Sequence, residues 1–289
     1  MFLFKLLYVL TLLTLLTLSF PIFAVDQSVY WEITSPSGKT HFLFGTIHTD
    51  DNRVSEFHPE VLRGLKASNT FIMETDEIQD RSILLVKNAF YEKYLDEGDF
   101  DRIKDLAYFH TMPLESVLQM KPWLLAIIFN SPRPITPFNQ DNLLKRKAED
   151  LFMVVQGLET VSEHFSVLDA FEVSDQMTLL STVLKRNEDI KLKDYEALVN
   201  AYLTFDPEVI LQTDKSITSK LVSKEMWKVM QEKLIQARNQ LFFERILELE
   251  DGNNLFIAVG ASHLGGRNGL LNLFKAGGYQ IKPLPPLAQ

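Results

Sequence analysis

Two apolar runs, one near each end of the chain, finish in the same way. Phe42-Leu43-Phe44 runs into Gly45-Thr46-Ile47-His48, and Leu255 to Val259 runs into Gly260-Ala261-Ser262-His263. Short apolar runs bounded by glycine read as buried strands. A third run, Thr70-Phe71-Ile72-Met73, ends on Glu74. Three groups able to bind a metal or move a proton therefore stand at the carboxyl ends of three strands. In open α/β sheets that edge is where sites are built. The chain must assemble its sheet from both ends and bring some 200 residues of intervening sequence back to one edge.

The pattern between those ends predicts the rest. Val29–Thr34 and Thr40–Phe44 flank a Pro/Gly turn and read as a β-hairpin. His58-Pro59 opens an amphipathic helix before the strand that ends at Glu74. Residues 81–142 read as helical, with Pro113 and Pro122 at helix starts and a proline-rich loop over Ser131–Phe138. Leu151–Val155 reads as a buried strand running into Gln156-Gly157-Leu158-Glu159, followed by one long helical stretch over Val161–Val222 and another over Lys224–Leu249. A helix over Gly269–Ala276 and a strand over Tyr279–Leu284 complete the chain. The fold class is a mixed α/β arrangement: a small, mostly parallel sheet with an N-terminal hairpin. A large helical region, about 81–142 and 161–249, is inserted between its strands and packs on it.

The first residues carry an address rather than a fold. Lys5, the apolar stretch Leu6–Phe20 and Pro21-Ile22-Phe23-Ala24 read as a secretory signal peptide cleaved after about Ala24. An uncleaved N-terminal anchor is the alternative. Residues 25–289 then form one domain, with no further transmembrane segment, and the expected location is periplasmic or secreted. There are no cysteines, so thiolate catalysis, Cys-ligated zinc and disulfides are excluded. Net charge is −9, with no basic patch, which argues against nucleic acid as a partner.

His48 and His263 are the leading candidates, because neutral imidazole binds divalent transition metals. Glu74 could complete a two-His, one-carboxylate set or act as a general base, ahead of its neighbours Asp76 and Glu77. Glu159 repeats the strand-end placement. In the helix Lys224–Leu249, Arg238-Asn239 offers a guanidinium that could stabilise an oxyanion. His41, His58, His110 and His164 read as structural. No Gly-x-Ser-x-Gly, phosphate loop, dinucleotide fingerprint or His-Glu-x-x-His is present.

Gly45–His48, Glu74-Thr75-Asp76, Lys121-Pro122-Trp123, Gly157-Leu158-Glu159-Thr160, Arg238-Asn239 and Gly260–Leu264, in that order, resemble the TraB/GumN family. That family is related to the TIKI metalloproteases and, more distantly, to the ChaN and erythromycin-esterase proteins. The resemblance implies a site of two Gly-x-x-His motifs, a Glu and an Arg: here His48 and His263 with Glu74 as metal ligands, Glu74 and Arg238 as catalytic groups, and Glu159 and Asn239 behind them. It implies metal-dependent cleavage of a peptide or protein substrate, with Mn or Co favoured. Two positions depart from the family pattern: Ser262, where a second Ala is commoner, and His164, where Gln is commoner. The alternatives are an interaction or regulatory protein that retains the fold, and a haem- or iron-binding protein.

Overall fold

A computed structural model describes residues 27–86 and 91–287; the expected signal peptide, Met1–Ala24, lies outside the described residues. Six strands, β1 (Tyr30–Thr34), β2 (Thr40–Thr46), β3 (Thr70–Thr75), β4 (Val154–Glu159), β5 (Leu255–Gly260) and β6 (Gln280–Leu284), form one sheet in the order β4-β3-β5-β2-β1-β6. β4, β3, β5 and β2 run parallel, and β1 is antiparallel to both β2 and β6. The mixed α/β class, the mostly parallel sheet and the N-terminal hairpin are as the sequence predicts.

Alternation along the strands sends side chains to two cores. On one face Trp31, Ile33, Leu43, Ile72, Ile257 and Val259 are buried against helices. On the other, Tyr30, Phe42, Phe256 and Phe71 form an aromatic ladder across β1, β2, β5 and β3, with centroid steps of 6.0, 6.4 and 5.9 Å. Each fully buried ring of this kind contributes on the order of 1.5–3 kcal/mol relative to exposure.

The helices are α1 (Pro59–Ala67), α2 (Glu97–Phe109), α3 (Leu114–Val117), α4 (Pro122–Asn130), α5 (Gln140–Asp150), α6 (Val161–Asp169), α7 (Val173–Leu184), α8 (Glu188–Tyr202), α9 (Pro207–Thr218), α10 (Lys224–Met230), α11 (Arg238–Leu249) and α12 (Leu270–Ala276). None among the described residues is long and apolar enough to cross a membrane. α2, α4 and α7 share a core of their own, with Ile103, Leu106, Leu125, Phe129, Leu180 and Val183, so part of the helical region packs on itself rather than on the sheet. Lys121 and Trp123 are both tied to Asp169, at 2.7 and 2.9 Å, which fixes the start of α4 against α6.

Three expectations change. The stretch over 161–222 is four helices rather than one, because Asn187 and Asp206-Pro207 supply N-caps that start new ones. The middle strand begins at Val154, not Leu151: Phe152 takes a positive φ of 55°, and Leu151 belongs to the helix end. This strand is the sheet edge, with Val154 exposed, rather than a buried strand. The segment 224–249 is continuous but contains a π-helical turn over Gln231–Ala237, between α10 and α11.

Candidate active site

The strand order sets β5 between β2 and β3, so the two Gly-x-x-His turns lie side by side with Glu74 on the far side of β5. Thr46 pairs with Gly260 across the parallel β2–β5 ladder. Neither motif glycine has a positive φ; each is needed for close approach. A Cβ on Gly45 would stand 3.0 Å from the Ala261 backbone, and one on Gly260 would stand 3.1 Å from Glu74 Oε1. The bare Gly260 instead donates its N–H to Glu74 Oε1 at 2.6 Å.

Arg238 is the hub. Its Nε donates to both Glu159 oxygens at 3.1 Å, and its Nη2 donates to Glu74 Oε2 at 2.7 Å. Nη2 also lies 3.1 Å from His164 Nδ1, and Nη1 lies 3.5 Å from His263 Nε2. The guanidinium stacks over the buried Phe242 ring at 4.9 Å, and His263 packs on the same ring at 5.2 Å. The π turn ends at the residue before Arg238, and such turns recur at functional sites.

Asn239 points the other way along the helix. Its Nδ2 donates to the Asn268 carbonyl at 2.8 Å, so its Oδ1 is the acceptor that faces His263 Nδ1 at 2.6 Å. The proton of His263 is therefore on Nδ1, and the Nε2 lone pair faces the site, 3.7 Å from Glu74 Oε1. Burial, reinforced by the Arg238 charge, pushes His263 down to about 4, so it is neutral at ordinary pH. Ser262 ties the same turn to α9 by donating to the half-buried Asp214 at 2.9 Å.

Burial opposes ionisation of Glu74, but the charge of His263, protonated at the low pH where this carboxyl titrates, then that of Arg238, and the Gly260 N–H outweigh it and hold the carboxyl well below its usual range. Glu159 is likewise held low: burial is overcome by hydrogen bonds and charge from His164 and Arg238. Two ionised carboxylates around one guanidinium leave a formal negative charge in a largely buried place.

His48 is set apart. Its side chain is 78 % exposed and its Nδ1 faces Asp141 Oδ2 at 2.9 Å. Pairing with Asp141 pushes it up to about 9, with Glu74 adding a weaker pull. Asp141 also accepts from Thr46 Oγ1 at 2.7 Å, and the Ile47 N–H is held by Gln140 Oε1 at 2.9 Å, so α5 fixes this turn. Asp76 and Glu77 are spent elsewhere: Asp76 accepts the Gly157 N–H at 2.9 Å, and Glu77 pairs with Lys145.

The structure thus joins Glu74, Glu159, Arg238, Asn239 and His263 by direct contact, and leaves His48 on the rim. It adds His164, which the sequence reading assigned a structural role. The Thr160–Glu163 capping box sets the first turn of α6 and presents His164 Nδ1 to Glu159 at 3.3 Å.

Both motif histidines have Nδ1 engaged by an oxygen, from Asn239 or Asp141, and Nε2 of His263 meets only the long 3.5 Å contact from Arg238 Nη1. A ligating His commonly has its second nitrogen held in this way. The donor chemistry, two Nε2 atoms and a carboxylate in a negatively charged site, fits a divalent cation. Among the described residues, however, no three His, Asp or Glu side chains converge in a metal-holding group.

Metalloprotease TIKI2 of Danio rerio is 24 % identical over 326 residues, an alignment covering 90 % of this chain and 61 % of the relative. This chain therefore spans under two thirds of that protein's length. The model of the TraB/PrgY/gumN family matches residues 29–283, which takes in both Gly-x-x-His turns, Glu74 and Arg238, and the chain belongs to that family.

Proposed function

We propose that this protein is an exported, metal-dependent hydrolase that cuts peptide bonds. The observation that carries the reading is the neutral His263, with Nδ1 tied to Asn239 and Nε2 turned toward the ionised Glu74 at the carboxyl edge of the sheet. The similarity to a metalloprotease supports it. His48, His263 and Glu74 would hold the cation, Mn or Co by the family resemblance, and the cation when bound supplies Lewis acidity. Asn239 keeps the His263 proton off Nε2. Arg238 holds Glu74 in one orientation and offers its Nη protons to developing negative charge, in a site where low dielectric magnifies that effect. Glu159 keeps Arg238 in place, and Glu74 would ligate the cation or take a proton from the attacking water.

Metal content of the purified protein, by mass spectrometry, tests this beside the His48→Ala, His263→Ala double variant. Near-stoichiometric Mn or Co that is lost in the variant, together with peptide turnover, is the expected result. No metal in either protein after reconstitution would sink the mechanism. Export is tested by the intact mass of protein recovered outside the cytoplasm: a chain starting at Val25 is expected, and retention of residues 1–24 would mean an anchor.

The self-paired cluster favours a second reading. Arg238 already satisfies Glu74 and Glu159, so the group could serve as a buried staple in an interaction protein. Unchanged partner binding and no metal in the double variant and its parent would select it.

A further inference from the structure

Beyond His48 the structure opens into a cleft of about 820 Å³. The loop after β2, the end of α4, the proline loop and α8 enclose it. Its walls are apolar: Ile127 and Ile128, Ile135, and Leu198 with Val199. Ile127 and Ile135 are 51 % and 93 % exposed, so this apolar surface is open to a ligand.

The acids around the cleft are spent. Asp50 Oδ2 accepts the Ile135 and Thr136 N–H groups at 2.7 and 2.6 Å, which ties the proline loop to the β2 loop. Asp51 is paired with Arg53 at 2.6 Å and accepts the Tyr195 hydroxyl at 3.0 Å. Arg133 lines the cleft with no hydrogen bond or ion pair among the described residues. Apolar walls with a few convergent polar groups are the usual make-up of a ligand pocket, and this volume is ample for one large side chain with its flanking backbone.

We propose that this cleft recognises a large apolar residue carrying an adjacent carboxylate. The side chain lies between Ile127 and Ile135, and the carboxylate pairs with Arg133. The carboxylate has two sources, a free C-terminus on the apolar residue or an acidic residue next to it. As a substrate pocket the assignment rests on the hydrolase reading, with His48 on the rim between pocket and site; as a binding site it does not.

The test is calorimetric titration of the purified protein, with EDTA present to suppress turnover. The probes are acetyl-Ala-Ala-Phe, its C-terminal amide, acetyl-Ala-Phe-Asp amide and acetyl-Ala-Ala-Ala. At least one carboxylate-bearing Phe peptide is expected to bind about tenfold or more tightly than the amide and the all-Ala peptide, as a charge-assisted hydrogen bond implies. The tighter of the two names the carboxylate source. Arg133→Gln should erase that margin, and Ile135→Glu should weaken every Phe peptide; both positions are exposed, so folding is not at risk. No margin of either carboxylate-bearing Phe peptide over the amide, or an unchanged Arg133→Gln protein, overturns the proposal. Arg133-dependent binding in a protein that never cuts a peptide leaves the pocket standing and the hydrolase reading fallen. Cleavage indifferent to both variants does the reverse.

Discussion

Replacing Arg238 with Met should expose the cost of the buried charge cluster. Arg238 is 11 % exposed and its Glu159 partner 3 %, so removing the guanidinium strands Glu159 as a buried carboxylate; Glu74, at 21 %, retains some access to water. Breaking a buried pair from one side costs about 3–5 kcal/mol, and the partial hydration of Glu74 favours the lower end, about 3 kcal/mol. Against a domain stability of about 5–15 kcal/mol the variant still folds. In the parent both carboxyls are held below the ordinary Glu value of 4.5, so their contribution is present above that pH and is lost as pH falls through the depressed values. In the variant the Gly260 N–H on Glu74 and His164 on Glu159 remain, but loss of the guanidinium lets burial lift both carboxyls, so its native state binds more protons than the parent's and falls further behind it as pH rises toward 7. The deficit should therefore be full at pH 7 and shrink toward pH 4.5. Urea denaturation followed by circular dichroism at the two pH values reads it, with Arg238→Lys as a partial rescue. A deficit below about 1 kcal/mol at pH 7, or one equal at both pH values, would refute the reasoning, since exposed pairs are worth no more than that.

Other changes probe separate joints. Asn239→Asp should raise His263 above about 4 by setting a negative charge on its Nδ1 side, read by NMR of the imidazole; an unmoved titration would disprove the Asn239 anchor. Gly157→Ala should destabilise the protein, because its Cβ would lie 2.2 Å from the Asp76 backbone nitrogen and force β4 from β3. A melting temperature within a degree or two of the parent would contradict that packing. Asp141→Asn should bring His48 down from about 9 toward 6.5. The pair's contribution is present below 6.5 and lost as pH rises through 9, so the variant's deficit should appear at pH 6 and vanish by pH 10. At an imidazole this exposed the deficit stays under about 1 kcal/mol.

The strand ends were legible because each is an apolar run closed by glycine or by a lone charge. That pattern alone placed His48, Glu74 and His263 at one sheet edge. Their mutual distances were not legible, since they depend on how far each turn carries its side chain past the strand; His48 ends 78 % exposed while His263 is 5 % exposed. Arg238 gave no local signal, because a guanidinium on a helix looks alike whether its partners are water or carboxylates from β3 and β4; only the family resemblance singled it out. His164 was missed for a related reason: it meets Glu159 across a helix cap, where no periodicity relates them. The cap signals Asn187 and Asp206-Pro207, in contrast, stood in the sequence and were passed over in favour of one long helix.

The π turn over Gln231–Ala237 has a consequence for how this family can vary. Such a turn holds one residue more than an α-helical turn, and each residue advances an α-helix by about 100°. Everything after it is out of phase with everything before it by that angle. Deleting a single residue there would leave a smooth helix and swing Arg238 and Asn239 together off their carboxylates and imidazole. The chemistry of the site is thus keyed to a frame offset in one helix, so a chain could keep every strand, every core residue and both histidines and still lose the site through the length of that one turn.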